Sequence, residues 1–330
     1  MDTSHARFLL EQFSEKPSGT CSAQRTLVDP KYDLEIIVPV YNTEQFLEEC
    51  LNSIFSQKTK FNYHVIAVND GSTDSSPEIL KRYDSPLLTV VDQKNGGTAK
   101  ARNAGIDASS GKYIMFVDSD DVLPENTVEV LLDRAFANDS DIVEGSADYF
   151  SDGVFNRYYL HQDSDRTDFK AVNACIWGKV FSAKLFASFS FPDGFWYEDT
   201  ADAFVLFPMA QKVSTCSDVV YNYRINKNGM TAVTKKKPKA LDTFWITEEC
   251  VKEYVNRGYI LDEYFVFYFT KQLIVNCQRL LGYPRDVQKA VFILSGSIIK
   301  QLNLEESDNR LLKIIRKEYY NRYRLYCLLH

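Results

Sequence analysis

The sequence predicts an α/β protein: a mainly parallel sheet with helices on both faces, followed by a helical carboxy-terminal region. Three observations carry this expectation. Apolar strand-like runs alternate with segments of helical period between residues 34 and 144. The first, second and fourth of those runs end in polar clusters, as strands of open α/β sheets do where they meet a ligand crevice. Beyond residue 238 the pattern is mostly helical. Strands that alternate with helices are joined by crossovers, which makes neighbouring strands parallel and covers both faces of the sheet.

In chain order, a short helix over 6–13 precedes a linker-like stretch, Lys16-Pro17-Ser18-Gly19-Thr20. Leu34-Glu35-Ile36-Ile37-Val38-Pro39-Val40 reads as the first strand, and Phe46, Leu47, Cys50, Leu51, Ile54 and Phe55 then recur at helical spacing. The second strand is Tyr63-His64-Val65-Ile66-Ala67-Val68. Ser75-Ser76-Pro77-Glu78 has capping-box spacing with an early proline and opens a helix. Strands over 87–91, 113–117 and 141–144 alternate with helices over 98–108 and 125–138. Residues 150–230 mix short strands and helices with many aromatics, and helices are expected over 261–281, 287–302 and 311–328. The expected organisation is an extension over 1–30, an α/β core over 31–150, a continuation of that domain over 151–232 and a helical region over 233–330.

Composition narrows the function. The 330 residues, 45% apolar and 25% charged, suffice for a sizeable core. A formal net charge of −7 argues against a nucleic-acid partner. Aromatics at 14%, with 20 Tyr and 22 Phe, suit sugar-stacking surfaces as well as ordinary core packing. The seven cysteines are widely spaced without a C-x-x-C pair, so neither a zinc site nor a disulfide framework is indicated. Buried thiols in a reducing cytoplasm are expected. Arg7-Phe8-Leu9-Leu10-Glu11 is too short an apolar run for a signal peptide and contains an acid. No run approaches the roughly 18 to 20 apolar residues of a membrane span. The expected location is cytoplasmic, soluble or peripheral on the inner face of the membrane.

The fourth strand runs into Asp118-Ser119-Asp120-Asp121. Carboxylates at the end of an apolar strand are costly unless something positive sits there, and a hard divalent cation completed by phosphate oxygens would supply that charge. The tripeptide Asp-Ser-Asp also occurs at 139–141 and 163–165, but only the first copy follows a strand into a crevice. The first strand ends in Pro39-Val40-Tyr41-Asn42 and the second in Asn69-Asp70-Gly71-Ser72-Thr73-Asp74. Tyr41 offers a flat face for a base, and Asp70 can accept from an imide N–H. Each cluster alone is also ordinary turn and cap chemistry; their convergence on one sheet edge favours a site.

Asn95-Gly96-Gly97 leads into the helix that carries Arg102. Glycines before a helix allow close backbone approach to an anion, and an arginine can pair with phosphate. The run is neither a Walker A nor a G-x-G-x-x-G sequence. Downstream, Phe195-Trp196-Tyr197-Glu198-Asp199 places acids after an aromatic cluster at a helix start. Two readings stand: the acids answer the helix dipole, or Asp199 or Glu198 is a general base for a hydroxyl. The tail from Arg310 to Arg324 holds six basic residues and one acid among Leu, Ile and Tyr. It is either a solvated helix face or an amphipathic segment that docks on an anionic membrane surface.

In this order the motifs, together with Ala101-Arg102-Asn103-Ala104-Gly105, Trp177-Gly178-Lys179 and Tyr221-Asn222-Tyr223-Arg224, resemble family 2 glycosyltransferases of GT-A fold. The resemblance is strong over about 34–150 and extends to about 232. It implies a metal-dependent, inverting transfer of a sugar from a nucleotide-sugar donor, usually a UDP-sugar, to a hydroxyl of a saccharide, lipid-linked or glycoprotein acceptor. By that resemblance Pro39, Tyr41, Asn42, Asp70, Gly97, Arg102, Asp118 and Ser119 bind the nucleotide and its diphosphate, with Tyr41 on the base. Asp120 holds Mn2+ or Mg2+, Asp199 is the base, and Trp177, Trp196 and Glu198 lie near the acceptor or donor sugar. Asn69 stands where the family often has an Asp, and Met230 where Ser or Thr is common. The Q-x-x-R-W element of processive synthases is absent, which favours single additions. Two rivals are a sugar-1-phosphate nucleotidylyltransferase, whose glycine-rich basic signature after the first strand is missing, and a non-catalytic sugar-nucleotide-binding adaptor recruited to the membrane.

Overall fold

The computed structural model describes residues 1–151, 153–226, 237–304 and 308–330. The chain divides into two compact units, one of Gly19–Gly194 with Ala201–Lys227, the other of Met1–Ser18, Phe195–Thr200 and Asn228–His330.

The first unit is an α/β sandwich on a nine-stranded sheet. Its strands are β1 (Tyr32–Val40), β2 (Tyr63–Asn69), β3 (Leu88–Asp92), β4 (Gly111–Phe116), β5 (Ile142–Ser151), β6 (Val154–Tyr159), β7 (Ser164–Thr167), β8 (Lys179–Ser182) and β9 (Val213–Arg224). They run in the order β3-β2-β1-β4-β8-β5-β9-β7, with β6 paired to β5. The first four are mutually parallel. β1 from Leu34 onward and all of β2 are buried residue for residue, as expected of strands covered on both faces.

Beyond β4 the sheet becomes mixed. The four-residue β8 inserts antiparallel between β4 and β5, and β9 returns parallel to β5. The insertion is anchored by charge: Glu144 of β5 faces Lys179 of β8 in register. Lys179 Nζ lies 2.6 Å from Glu144 Oε1 with both side chains fully buried, and His161 Nε2 is 2.7 Å from Oε2. Burial opposes the Glu144 charge, but Lys179 and His161 outweigh it and hold the carboxyl below its ordinary range.

The sheet carries α2 (Leu47–Phe55), α3 (Ser76–Arg82), α4 (Thr98–Ala108) and α5 (Thr127–Asn138). α4 lies close on β1, because a Cβ at Gly105 would stand 2.4 Å from Ile37 Cγ2. That approach fixes the height of Arg102 on the same helix. The capping box expected at Ser75 does not form: the Ser75 side chain makes no cap bond, and Asp74 Oδ1 accepts from Ser76 N at 2.9 Å instead. At the amino-terminal end of the sheet, buried Glu35 accepts from Ser110 N and from Gly111 N (2.9 Å) and pairs with His64 Nδ1 at 3.1 Å. This satisfied network leaves the carboxyl end of the sheet for chemistry.

The second unit is helical: α1 (Thr3–Phe13), α6 (Asp242–Asn256), α7 (Glu263–Arg279), α8 (Arg285–Gln301), α9 (Arg310–Arg316) and α10 (Tyr320–Leu329). Residues 1–18, set apart in sequence as an extension, belong here. Glu248 of α6 takes both Arg7 and Lys16, the latter at 2.8 Å, and Trp245 Nε1 donates to Ser14 O at 3.2 Å. The single helix expected over 311–328 is two. Glu318 adopts a left-handed backbone (φ 56°), and Glu318 N and Tyr319 N close back on Ile315 O and Ile314 O, ending α9. Leu311, Leu312, Ile315, Tyr323 and Cys327 are buried in this unit, while Leu325, Leu328 and Leu329 remain exposed. No helix among the described residues is long and apolar enough to cross a membrane.

Candidate active site

The carboxyl ends of β1 and β2 are stitched together by their own polar residues. Asn42, with φ 52°, donates from its N–H to Ser72 Oγ (3.1 Å) and accepts from Thr73 N on Oδ1 (2.7 Å). Pro39 lies inside β1 opposite Val68, so it shapes the strand end from within the sheet. Tyr41, beyond the last pair, is 49% exposed and presents its ring to solvent. Asn69 does what an aspartate there would not: its Nδ2 donates to Asp92 Oδ1 (2.7 Å) while its Oδ1 accepts from Ser72 N (3.0 Å).

Asp70 is buried and well supplied. It accepts from Gln93 Nε2 (2.6 Å) and Gly96 N (2.8 Å) on Oδ1 and from Gly97 N (2.8 Å) on Oδ2. A carboxylate has about four acceptor sites, so one on Oδ2 remains for a ligand. The expectation that the Gly96-Gly97 amides meet an anion is corrected: they are taken by Asp70. Gly97 keeps φ 88°, and no heavy atom lies within 4 Å of where its Cβ would be. The loop thus has room for a ligand beside Gly97.

Arg102 is likewise redirected. Its side chain is buried, with Nη2 3.0 Å from Asp118 Oδ1 and the guanidinium 5.5 Å from the centre of the Phe191 ring. It holds Asp118 in place.

The acidic turn after β4 is the most constrained part of this edge. Asp121 N donates to Asp118 O (3.0 Å), and Val122 then bridges to Asn222. Asp121 is fully buried and opens no helix. Its carboxyl accepts from Tyr221 Oη (2.7 Å) and Arg224 N (2.6 Å). The Tyr221 hydroxyl also accepts from Asp118 N at 3.1 Å. Ser119 is buried. Asp120 is partly buried: its Oδ2 accepts from Asn226 Nδ2 (2.9 Å), and its carbonyl accepts from Arg224 Nε (2.7 Å). Burial, with Asp118 close by, raises the Asp120 carboxyl although Asn226 and Arg224 oppose the rise.

These acids fit a divalent cation. Asp118 and Asp120 are hard oxygen donors, burial and the neighbouring Asp118 disfavour ionisation of Asp120, and Arg102 is already engaged. Among the described residues no three His, Cys, Asp or Glu side chains form a closed cage. One or two carboxylates with substrate phosphates is the way Mg2+ and its relatives are usually held.

Sequence reasoning missed Tyr221 and Asn226 as site residues. Both come from β9 and the residues after it, about a hundred positions from the turn they hold. The run Tyr221-Asn222-Tyr223-Arg224 stands among the sequence motifs without a role for Tyr221, and Arg224 Nη2 also reaches Glu49 Oε2 at 2.6 Å. Met230 lies outside the described residues. The sister Asp-Ser-Asp copies are structural: Asp141 Oδ2 accepts from Gln211 N and Lys212 N, Asp139 pairs with Lys212, and Asp165 pairs with Arg134.

Trp177 is 7% exposed. It lies nearly parallel to Tyr221 at 4.7 Å, Tyr223 at 5.5 Å and Tyr159 at 6.1 Å. Little of the ring is left for a sugar; it steadies Tyr221 and, through it, the acidic turn.

In the helical unit, Phe195–Thr200 is gripped by α6 and α7. Trp196 N and Lys239 Nζ both donate to Asp242 Oδ2, at 2.8 and 2.7 Å. The Arg279 guanidinium lies 3.6 Å over the Tyr197 ring, whose residue has φ 64°. Glu198 is buried, Trp196 is half-buried and Asp199 is exposed. Burial lowers the Arg279 guanidinium against the pull of Asp199, which places that positive group within electrostatic range of the candidate base.

Comparison with known proteins agrees with this frame. Residues 35–192 match the model of glycosyl transferase family 2, a span that holds the acidic turn and stops before Asp199. The chain is 34% identical over 318 residues to glycosyltransferase GlyA of Streptococcus pneumoniae, covering 89% of this chain and 44% of that protein. It is 32% identical over 212 residues to glycosyltransferase GlyG of the same organism, covering 58% of this chain and 70% of that one. The chain thus spans less than half of the first relative's length. TarS 1–349 of S. aureus, crystallised with UDP-GlcNAc, superposes with a TM-score of 0.69 at 20% identity, over 88% of this chain and 89% of the other. That likeness establishes the GT-A type of fold. On the family match and the identity shared with GlyG, the chain belongs to glycosyl transferase family 2.

Proposed function

We propose that the chain transfers a sugar from a nucleotide-sugar, a UDP-sugar, to an acceptor hydroxyl with inversion, in the assembly of a cell-surface polysaccharide or related glycoconjugate. The observation that carries this is the acidic turn: Asp118 and Asp120 are held at the carboxyl end of β4 by Arg102, Tyr221 and Asn226, beside the stitched ends of β1 and β2. Tyr41 supplies a bare ring for the base, and the free acceptor site on Asp70 Oδ2 suits an imide N–H. Asp120, with Asp118 beside it, would hold Mn2+ or Mg2+, which would neutralise charge gathering on the departing nucleoside diphosphate. Asp199 is exposed and free to take the proton of the acceptor hydroxyl, with Trp196 and Glu198 in the same segment.

The test is release of UDP from a UDP-sugar panel with added Mn2+ or Mg2+. Asp120→Asn should abolish metal-dependent release while leaving the fold intact, and Asp199→Asn should abolish transfer while sparing donor binding. Normal turnover by either variant would remove that residue from its role. A nucleotidylyltransferase would instead release pyrophosphate from UTP and a sugar phosphate, and a pure binder would release no UDP. Docking of the basic tail on an anionic membrane surface belongs to this reading as well. It is supported by Arg322 together with the exposed Leu325 and Leu328 of α10.

A further inference from the structure

The acidic turn accounts for the nucleotide end of a donor; a saccharide needs a flatter, less charged surface, and β6 supplies one. β5 and β6 pair one for one from Ser151↔Val154 to Asp148↔Arg157, after which Ala147 faces Tyr159. Tyr158 is therefore the extra residue of a β-bulge. Such bulges bend the strand and re-aim the side chain they carry.

The re-aimed ring is 54% exposed yet held on several sides. It meets Trp177 at 5.5 Å and 65°, Tyr223 at 6.0 Å and 50°, and Tyr149 at 6.4 Å and 80°. Trp177 in turn stacks on Tyr221, whose hydroxyl fixes Asp118 and Asp121. The Tyr223 phenol is pushed up to about 12, by burial first and then by the charges of Asp121, Asp118 and Asp120. The exposed ring thus stands one aromatic layer from the acids. Two of its neighbours, Tyr149 and Tyr223, are phenols like itself, which pair an apolar face with a polar rim, the combination that suits a ring bearing C–H groups on its face and hydroxyls at its edge. A nucleotide base is served by Tyr41, on the other side of the acidic turn in the strand order.

We propose that Tyr158, flanked by Tyr149 and Tyr223, is a stacking platform for the acceptor saccharide. The proposal rests on the transferase reading above and extends it by naming the chemistry of the second substrate: a neutral pyranose bound face-on.

The experiment uses the full chain as wild type, Tyr158→Ala and Tyr158→Phe, in two separate measurements. Saturation-transfer NMR with methyl glycosides of the common hexoses and N-acetylhexosamines reads saccharide binding. Acceptor-free hydrolysis of the UDP-sugar panel reads the donor site. The expected result is a glycoside signal in wild type and Tyr158→Phe, weakened about tenfold in Tyr158→Ala, with donor hydrolysis equal in all three. Equal glycoside binding in wild type and Tyr158→Ala overturns the platform, as does a wild type that binds no glycoside. A parallel fall in donor hydrolysis overturns the acceptor assignment and moves Tyr158 to the donor side. Absence of hydrolysis in wild type speaks against the transferase reading alone, since the glycoside measurement stands without it.

Discussion

Tyr221→Phe isolates one hydroxyl at the centre of the site. That hydroxyl donates to Asp121 Oδ2 at 2.7 Å and accepts from Asp118 N at 3.1 Å, in a fully buried position. The ring would keep its stack with Trp177 at 4.7 Å, so the substitution removes hydrogen bonds and little packing. A neutral bond contributes about 1 kcal/mol net and one to a charged group about 1.5 to 3 kcal/mol. The two lost bonds then amount to about 2.5 to 4 kcal/mol, before any relaxation of the turn. For a domain of this size a loss of 1 kcal/mol lowers Tm by roughly 2 to 4 °C, so a fall of about 5 to 16 °C is expected by differential scanning calorimetry. Because Asp118 N is freed, the carboxylates should also lose their spacing, and metal-dependent UDP release should fall by at least about tenfold. A variant whose Tm stays within about 1 °C of wild type and whose rate stays within about twofold would refute the claim that this hydroxyl fixes the acidic turn.

Other outcomes are equally specific. Glu144→Gln leaves Lys179 buried without its counter-charge and should cost about 3 to 5 kcal/mol in urea unfolding. Since Glu144 is held below its ordinary range in the folded state, its stabilisation is complete above the unfolded carboxyl pKa of about 4.3 and is lost as pH falls through the folded value. Wild type should therefore lose stability more steeply than Glu144→Gln under acid titration. Gly97→Ala meets no steric neighbour but forces a residue with a Cβ to φ 88°, at a cost of about 1 to 2 kcal/mol; a neutral result by urea unfolding would show that the loop relaxes. Binding of the full chain to phosphatidylglycerol vesicles should exceed binding to phosphatidylcholine vesicles and fall with salt, and equal partition onto both would discard the basic-tail reading.

The legible parts of the fold were those governed by local pattern. β1 and β2 are continuous apolar runs because both faces are covered, and α4 matches its expected bounds because its buried face keeps helical period. The acidic turn was found for the same reason, since buried β4 makes its three acids conspicuous. What escaped were outcomes of competition between polar groups distant in sequence. Asp74 displaced Ser75 as the cap of α3, and Asp70 claimed the Gly96 and Gly97 amides that an anion would otherwise meet. Arg102 was drawn to Asp118 by burial, where an unpaired guanidinium would be costly. The four-residue β8 carries no periodicity long enough to reveal that it inserts antiparallel.

That insertion explains how the site is assembled. With β8 placed between β4 and β5, β9 can return parallel to β5. Its pairing with β5 then slips twice, at Glu144/Ser146 and at Ser146/Ala147. The slips accommodate extra residues in β9 on either side of Val219, so the segment from Tyr221 onward is shifted relative to the start of the strand. It then meets the turn after β4: Asn222 bridges Val122, Tyr221 reaches Asp118 and Asp121, and Asn226 reaches Asp120. The buried Glu144–Lys179 pair sits where β8 joins β5, at the foot of this arrangement. It holds in register the strand from which β9 departs, and so connects a charge pair without chemistry of its own to the spacing of the acids.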